Sequence, residues 1–296
     1  MLTRRRALGL IGSIPFVGSA SAQGNWPTRP VKMYVPFAPG GNTDGLSRLI
    51  AQWLSDRMNQ QFAVENRPGA NGSLAVQGVT RATPDGYSII MAAVAQIAIF
   101  PAMTNVPYDA QKELAPITNV GMNPFALMVN AKLPVTSITE LVAYVRAQPK
   151  TIAYASGGTG SLSHLSMALF LNRAGLTMDH VPYRGGGPAI ADLIAGHVPM
   201  YFGNLSEALP HAGGPAIRVL AISDDKRSRL LPGVPTVSEA MYPGFKTVTW
   251  NGLFTTAGTP PAIIDAIASE VKAALRDPAI LSKLESYGVD PVGDSP

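Results

Sequence analysis

Residues 35–45 read VPFAPGGNTDG. An apolar run stops at Pro36, two adjacent glycines follow, and Leu46, Leu49, Ile50, Trp53, Leu54 and Met58 then recur at helical spacing. The stretch is therefore a glycine-rich loop between a strand, Val31 to Phe37, and a helix. At the start of a helix the first backbone N–H groups lack intrahelical acceptors, and the peptide dipoles leave a positive end. Glycine lets another group approach that backbone closely. Two readings follow: a tight turn, or a cradle for an anion that needs no basic side chain.

The arrangement recurs twice. Ser156-Gly157-Gly158-Thr159-Gly160-Ser161 and Tyr183-Arg184-Gly185-Gly186-Gly187 also stand between a strand-like and a helix-like segment. Each loop alone is compatible with a turn. Three at one topological position favour ligand binding, because open α/β sheets bind ligands outside the carboxyl ends of their strands. Hydrogen bonds to a charged group contribute about 1.5–3 kcal/mol each, so a handful approaches the roughly 8 kcal/mol of a micromolar complex.

Strand and helix patterns alternate along the rest of the chain, which predicts an α/β fold. The first series has strands at 62–65 and 85–95, the second of them running through Ala95. The second series begins after Met122. It has a strand over 125–130, a helix opened by Ser137 and Glu140 as a capping box, a strand over 151–156 and a helix closed by Gly175. A strand follows at 178–182, then a short helix with Pro188 at its first position and Gly196 after its end, and strands at 198–204 and 217–223. A last strand from 246 leads through a Gly/Pro loop to a helix carrying Ile263, Ile264, Ile267, Val271 and Leu275, and then to a shorter one. The boundary between the series is expected near Gly121 to Pro124.

Composition narrows the function. The chain has 296 residues, 46% of them hydrophobic and 14% charged, enough for two globular lobes. The N-terminus, MLTRRRALGLIGSIPFVGSASAQ, has a basic start at Arg4-Arg5-Arg6, a short apolar run from Ala7 to Val17 and a small-residue cleavage site at Ala20-Ser21-Ala22. It predicts a signal peptide over 1–22, of general or twin-arginine type, and a mature start at Gln23. Without those three arginines 20 Lys and Arg face 19 Asp and Glu, a net charge of +1, which gives no nucleic-acid footprint. The chain has no cysteine, which excludes thiol catalysis and fits export to an oxidising periplasm.

Catalytic patterns are sparse. The third position of a dinucleotide fingerprint beginning at Gly158 is Ser163, no loop carries the lysine of a phosphate-binding P-loop, and no Gly-x-Ser-x-Gly elbow occurs. The histidines at 164, 180, 197 and 211 lack metal-ligand spacing, so neither metal nor cofactor is expected. Ser161 and His164, one helical turn apart, form a candidate nucleophile pair, or a helix cap and a packed ring. Asp44 is either a helix-capping carboxylate or a cleft residue. Arg184 either pairs with a ligand carboxylate or forms an internal salt bridge.

Seven stretches in order resemble the Bug-type substrate-binding proteins of the tripartite tricarboxylate transporter family: WPTRPVKMYVPFAPGGNTDGLSR, VENRPGANGSLA, PDGYSI, YASGGTGSLSHL, VPYRGGGPAIADLIAGHV, LAISDDKRSRLLPGVPTVSEA and WNGLFTTAGTP. The resemblance implies a two-lobed periplasmic binding protein of type II-like, Venus-flytrap form with two crossing segments. Lobe 1 would span 23–122 and 246–296, and lobe 2 would span 123–245. It implies a non-enzymatic, monomeric receptor that takes a small carboxylate into the interlobe cleft and delivers it to membrane transport subunits. The ligand-binding residues carried over are Phe37, Ala38, Gly40, Gly41, Thr43 and Asp44 from one lobe. From the other come Gly158, Thr159, Gly160, Ser161, Tyr183, Arg184, Gly185 and Asn204. Two departures stand out. Ala95 and Gln96 replace the small hydroxyl residues usual after PDGYSI, so the far end of the pocket is expected to differ, with Trp250 also near the ligand. The chain also ends at VDPVGDSP where the family continues into another helix, so lobe 1 is expected to be shortened or finished differently. The alternatives are an exported hydrolase built on Ser161 and His164, and a ligand sensor on the same fold.

Overall fold

The computed structural model describes residues 26–295; the predicted signal peptide lies outside them. The first lobe opens with β1 (Val31–Val35), α1 (Asn42–Met58), β2 (Phe62–Asn66), α2 (Ser73–Thr80) and β3 (Ser88–Ala93). A π-helical turn (Ala95–Ile99), α3 (Phe100–Met103) and α4 (Ala110–Glu113) follow. Strand β4 (Leu114–Asn130) carries the chain into the second lobe. There α5 (Ile138–Ala147), β5 (Ala153–Ser156), α6 (Leu162–Ala174), β6 (Asp179–Pro182) and α7 (Gly186–Ala195) alternate. They are followed by β7 (Met200–Asn204), α8 (Leu205–Ala208), β8 (Ile217–Ile222) and α9 (Val237–Ala240). The return strand β9 (Val248–Thr256) leads to α10 (Pro261–Ala274), α11 (Pro278–Ser286) and β10 (Asp290–Pro291).

Two long strands join the halves. β4 pairs antiparallel with β9 from Leu114 to Pro124, then with β7 on one side and β8 on the other from Phe125 to Asn130. The first sheet runs β2-β1-β3-β9-β4, and the second continues β4-β7-β5-β6. Each sheet is covered on both faces. In the first lobe Met33, Ile50, Leu54, Leu253, Ile267 and Val271 form one core, and Tyr34, Val76, Val79 and Ile90 form the other. In the second lobe Phe125, Leu127, Met167, Phe170 and Phe202 lie on one face, and Met128, Ala155, Leu193 and Tyr201 on the other. Burial on this scale, at about 25 cal/mol per Å² of apolar surface, holds each layer.

Four expectations need correction. The strand expected from 125 begins at Leu114, because β-bulges between Pro116 and Thr118 and between Asn119 and Gly121 absorb the proline and glycine that mask it. The strand expected through Ala95 stops at Ala93, where the chain turns into the π-helical segment; an apolar run does not distinguish the two conformations. Helix α7 starts two residues before Pro188, with Gly185 at φ 132° as its N-cap. Ser137 does cap α5, but Glu140 reaches back to the N–H and hydroxyl of Thr136 rather than to Ser137.

After α11 the chain adds β10 to β4, Asp290 opposite Met122. Gly293 N–H donates to Asn119 O at 2.8 Å, and Asn119 N–H donates to Asp294 Oδ1 at 2.7 Å. Strand β10 therefore lies beside β4 in the first sheet.

Candidate ligand-binding cleft

Parallel strands β1 and β3 in one lobe and β5 and β6 in the other end at the interlobe cleft. The loops leaving β1, β5 and β6 lead into α1, α6 and α7, so three helix N-termini converge there. They enclose a cavity of about 50 Å³, enough for about four water molecules. Phe37, Gly41 and Thr43 form its wall on one side, and Gly157, Ser161, Ser163, Gly185 and Asn204 on the other. Ala93 to Ala95 close the end beside β3, and Thr249 lies where β9 crosses. Among the described residues no lysine or arginine lines it.

The glycines act by allowing close approach. The N–H of Ala38 donates to the carbonyl of Arg184 at 2.8 Å, and an added Cβ at Gly187 would overlap the carbonyl oxygen of Pro39. Gly160, at φ 75°, lies against the Phe100 ring of the other lobe. A second hollow of about 340 Å³ opens outside the cavity and shares Phe37, Gly157 and Ser161 with it. Gly158, Thr159, Tyr183 and Arg184 border this outer hollow rather than the inner cavity.

The remaining predicted residues have defined places. Gly40 and Asp44 border an outward groove beside α1. Asp44 Oδ2 accepts from Gly40 N–H at 3.0 Å and from Arg48 Nε at 3.1 Å, while Oδ1 accepts from Asn66 at 2.9 Å. Burial alone would raise its pKa, but the hydrogen bonds from Arg48, Gly40 and Asn66 hold it below the ordinary value. Arg184 is exposed and forms no salt bridge among the described residues. Ser161 caps α6, accepting from the backbone N–H of His164 at 3.3 Å and donating to Gly158 O at 2.7 Å. The His164 ring accepts from Gly160 N–H at 3.0 Å and stacks on His180, centroids 4.1 Å apart. The Ser161 hydroxyl thus meets the histidine backbone, and no hydrogen bond joins it to the imidazole among the described residues. Gln96 is fully buried, donating to Asn71 O and accepting from Ala93 N–H. It braces the lobe behind the cavity, and of the pair at 95 and 96 only Ala95 lines the wall. Trp250 packs on Phe254; its neighbour Thr249 reaches the cavity.

Glu207 is among the wall residues that the sequence reading did not name. Glu207, buried at 7% exposure, accepts Tyr201 O–H at 2.8 Å and Asn204 N–H at 3.1 Å on Oε2, and Asn42 N–H at 3.3 Å on Oε1. Burial raises its pKa above the ordinary carboxylate value, and bonds from Tyr201, Asn42 and Asn204 offset that rise only in part. The available signal was Asn204-Leu205-Ser206-Glu207, a capping box at a strand end; nothing in it shows the reach to Asn42. Among the described residues no cluster of three or more acidic or histidine side chains is placed to hold a metal.

The family model for tripartite tricarboxylate transporter family receptors matches residues 46–295. Protein BugT of Bordetella pertussis is 33% identical over 98% of this chain and 89% of its own length. The solved Rpa4515 of R. palustris with adipate is similar at TM-score 0.87 and 35% identity, with 91% of each chain covered. MatC of Rhodopseudomonas palustris with bound malate is similar at TM-score 0.83 and 30% identity, over 89% of this chain and 90% of that one. The fold is that of a two-lobed periplasmic binding protein, and the chain belongs to the tripartite tricarboxylate transporter family receptors.

Proposed function

We propose that this protein is an exported receptor that captures a small organic acid between its lobes and presents it to membrane transport subunits. One observation carries the reading: three helix N-termini meet at a cavity lined by no basic side chain among the described residues. Such a site favours an anion through N–H groups and hydroxyls. The carboxylate enters the cavity, while the rest of the ligand extends into the outer hollow beside Arg184. The adipate and malate held by solved relatives are carboxylates of this kind.

The lobes meet as 23–122 with 246–296, and 123–245, and the two crossing strands serve as the hinge. Ligand contacts with both lobes select the closed form. The protein works as a monomer in the periplasm, after removal of residues 1–22, and binds without turnover. No helix among the described residues is long and apolar enough to cross a membrane.

A thermal-shift screen of the mature chain with mono-, di- and tricarboxylates tests this, since a ligand selective for the folded state raises its melting temperature. A rise with one or more acids is expected. A rise with neutral or cationic solutes alone would refute the reading.

A further inference from the structure

The Gly-rich loops were read as an anion cradle, and two of them already cradle an anion belonging to the chain. Glu207 Oε1 lies 3.4 Å from the position a Cβ would take on Gly41, its Oε2 lies 2.7 Å from that on Gly203, and a Cβ on Gly186 would overlap the carboxylate. Three glycines, from the α1 loop, the start of α7 and β7, thus make room for one carboxylate. Its hydrogen-bonding neighbours Asn42 N–H, Asn204 N–H and Tyr201 O–H are donors, which favours the ionised form against the burial that raises its pKa. The same carboxylate forms part of the cavity wall. At the α6 end the wall is formed by Gly157, Ser161, Leu162 and Ser163, none of them charged.

We infer that Glu207 is a specificity-determining residue: by accepting the N–H at the start of α1 and filling the space beside Gly186 at the start of α7 with its own carboxylate, it leaves the inner cavity one anion position, at the α6 end. The inference rests on the carboxylate-receptor reading. It narrows the ligand to an acid that brings one carboxylate into the inner cavity. The atoms next to Glu207 must be uncharged or hydrogen-bond donating. A short dicarboxylate would set its second charge against Glu207 in a site poorly screened by water, whereas a longer one escapes only by placing that charge in the outer hollow.

The test measures binding by calorimetry of paired acids that differ by one carboxylate: butyrate and succinate, benzoate and phthalate, hexanoate and adipate. The wild-type chain is compared with Glu207→Gln and Tyr201→Phe. The glutamine keeps its carbonyl for Asn204 and Tyr201, so the α8 cap survives, while the charge is lost and Asn42 N–H is released. Tyr201→Phe keeps the charge. The short and aromatic monocarboxylates should bind the wild type at least about tenfold more tightly than their dicarboxylate partners. The ratio should fall or reverse in Glu207→Gln, by about ten- to a hundredfold, and persist in Tyr201→Phe. Melting curves of both variants report folding separately. An equal or greater wild-type affinity for succinate and phthalate overturns the inference, as does an unchanged ratio in Glu207→Gln, the outcome of a purely structural cap. If no acid of either set binds any of the three proteins, the carboxylate-receptor reading itself falls.

Discussion

The backbone N–H of Ala38 lies 2.8 Å from the carbonyl oxygen of Arg184, a main-chain hydrogen bond between residues from opposite lobes. Beside it, Ser206 donates to Asn42 Oδ1 at 2.9 Å and Asn42 donates to Asn123 Oδ1 at 3.3 Å. Each bond of this kind contributes about 0.5–1.5 kcal/mol, so the closed arrangement is held by a few polar contacts between surfaces smoothed by glycine. It is easily upset by a single methyl group.

Gly187 offers the cleanest way to do so. It lies in the first turn of α7, where its conformation suits any residue, but a Cβ there would overlap Pro39 O. In the open form Gly187→Ala should cost nothing and favours the helix by up to about 1 kcal/mol. The expected outcome is unchanged or slightly raised chemical stability, with ligand affinity reduced at least about tenfold and ligand-induced compaction lost in small-angle scattering. Full affinity with normal compaction would mean that closure does not bring α7 onto the first glycine loop.

Gln96 was expected at the ligand and is instead a brace. Its side-chain amide ties Asn71 O to Ala93 N–H. Gln96→Leu keeps the volume but strands those buried partners, at a cost of about 1–3 kcal/mol. Urea denaturation should show that loss, with affinity per folded molecule little changed. A large affinity loss at constant stability would return Gln96 to the binding surface.

What was legible in the sequence follows from the range of the interaction concerned. The strand-loop-helix units at 31–58 and 153–174 are local: apolar spacing, glycine and capping residues act within a few positions, and the sequence shows them. The first part of β4 was hidden because its partners in β9 lie more than a hundred positions away, and Pro116, Gly121 and Pro124 read as breakers until β9 supplies the bulged register. Arg184 and Gly158 were recognisable as loop residues, but whether a loop residue faces the inner cavity or the outer hollow depends on the partner lobe. Glu207 escaped for the same reason. Its local signature is a helix cap, and its contact with Asn42 spans 165 positions.

Stability should fall in mild acid, for a reason located in the second lobe. His180 is stacked on His164, and its Nε2 lies 2.6 Å from Ser156 Oγ. Burial, aided by the neighbouring His164, lowers its pKa to about 4. With the folded value below the ordinary one of about 6.5, the unfolded chain takes up the proton first. The contribution is complete above that ordinary value and is lost as the pH falls toward the folded one. At pH 5 the loss is about 1 kcal/mol relative to pH 7.5, after discounting for the ring's partial exposure to solvent. Urea titrations at the two pH values measure it, and His180→Gln should flatten the dependence. A slope unchanged in that variant would move the cause to other groups.

Asp44 separates helix capping from ligand contact. Its carboxylate holds Gly40 N–H, Arg48 and Asn66, so those partners keep it on the outward side of the first turn of α1. Asp44→Asn preserves shape and removes the charge that favours both the helix N-terminus and Arg48. The expected cost is about 1–2 kcal/mol, because the pair is half-exposed on the arginine side and buried on the aspartate side. Affinity for a bound acid should stay within about twofold, since no inner-cavity contact is altered. Because the folded pKa of Asp44 is lowered, its contribution is present above the ordinary carboxylate range and disappears as pH falls through the folded value. The difference between wild type and Asp44→Asn should therefore close in strong acid. A variant that folds as stably as wild type but binds an acid more tightly would instead place Asp44 within repelling distance of the ligand, making it a second selector beside Glu207.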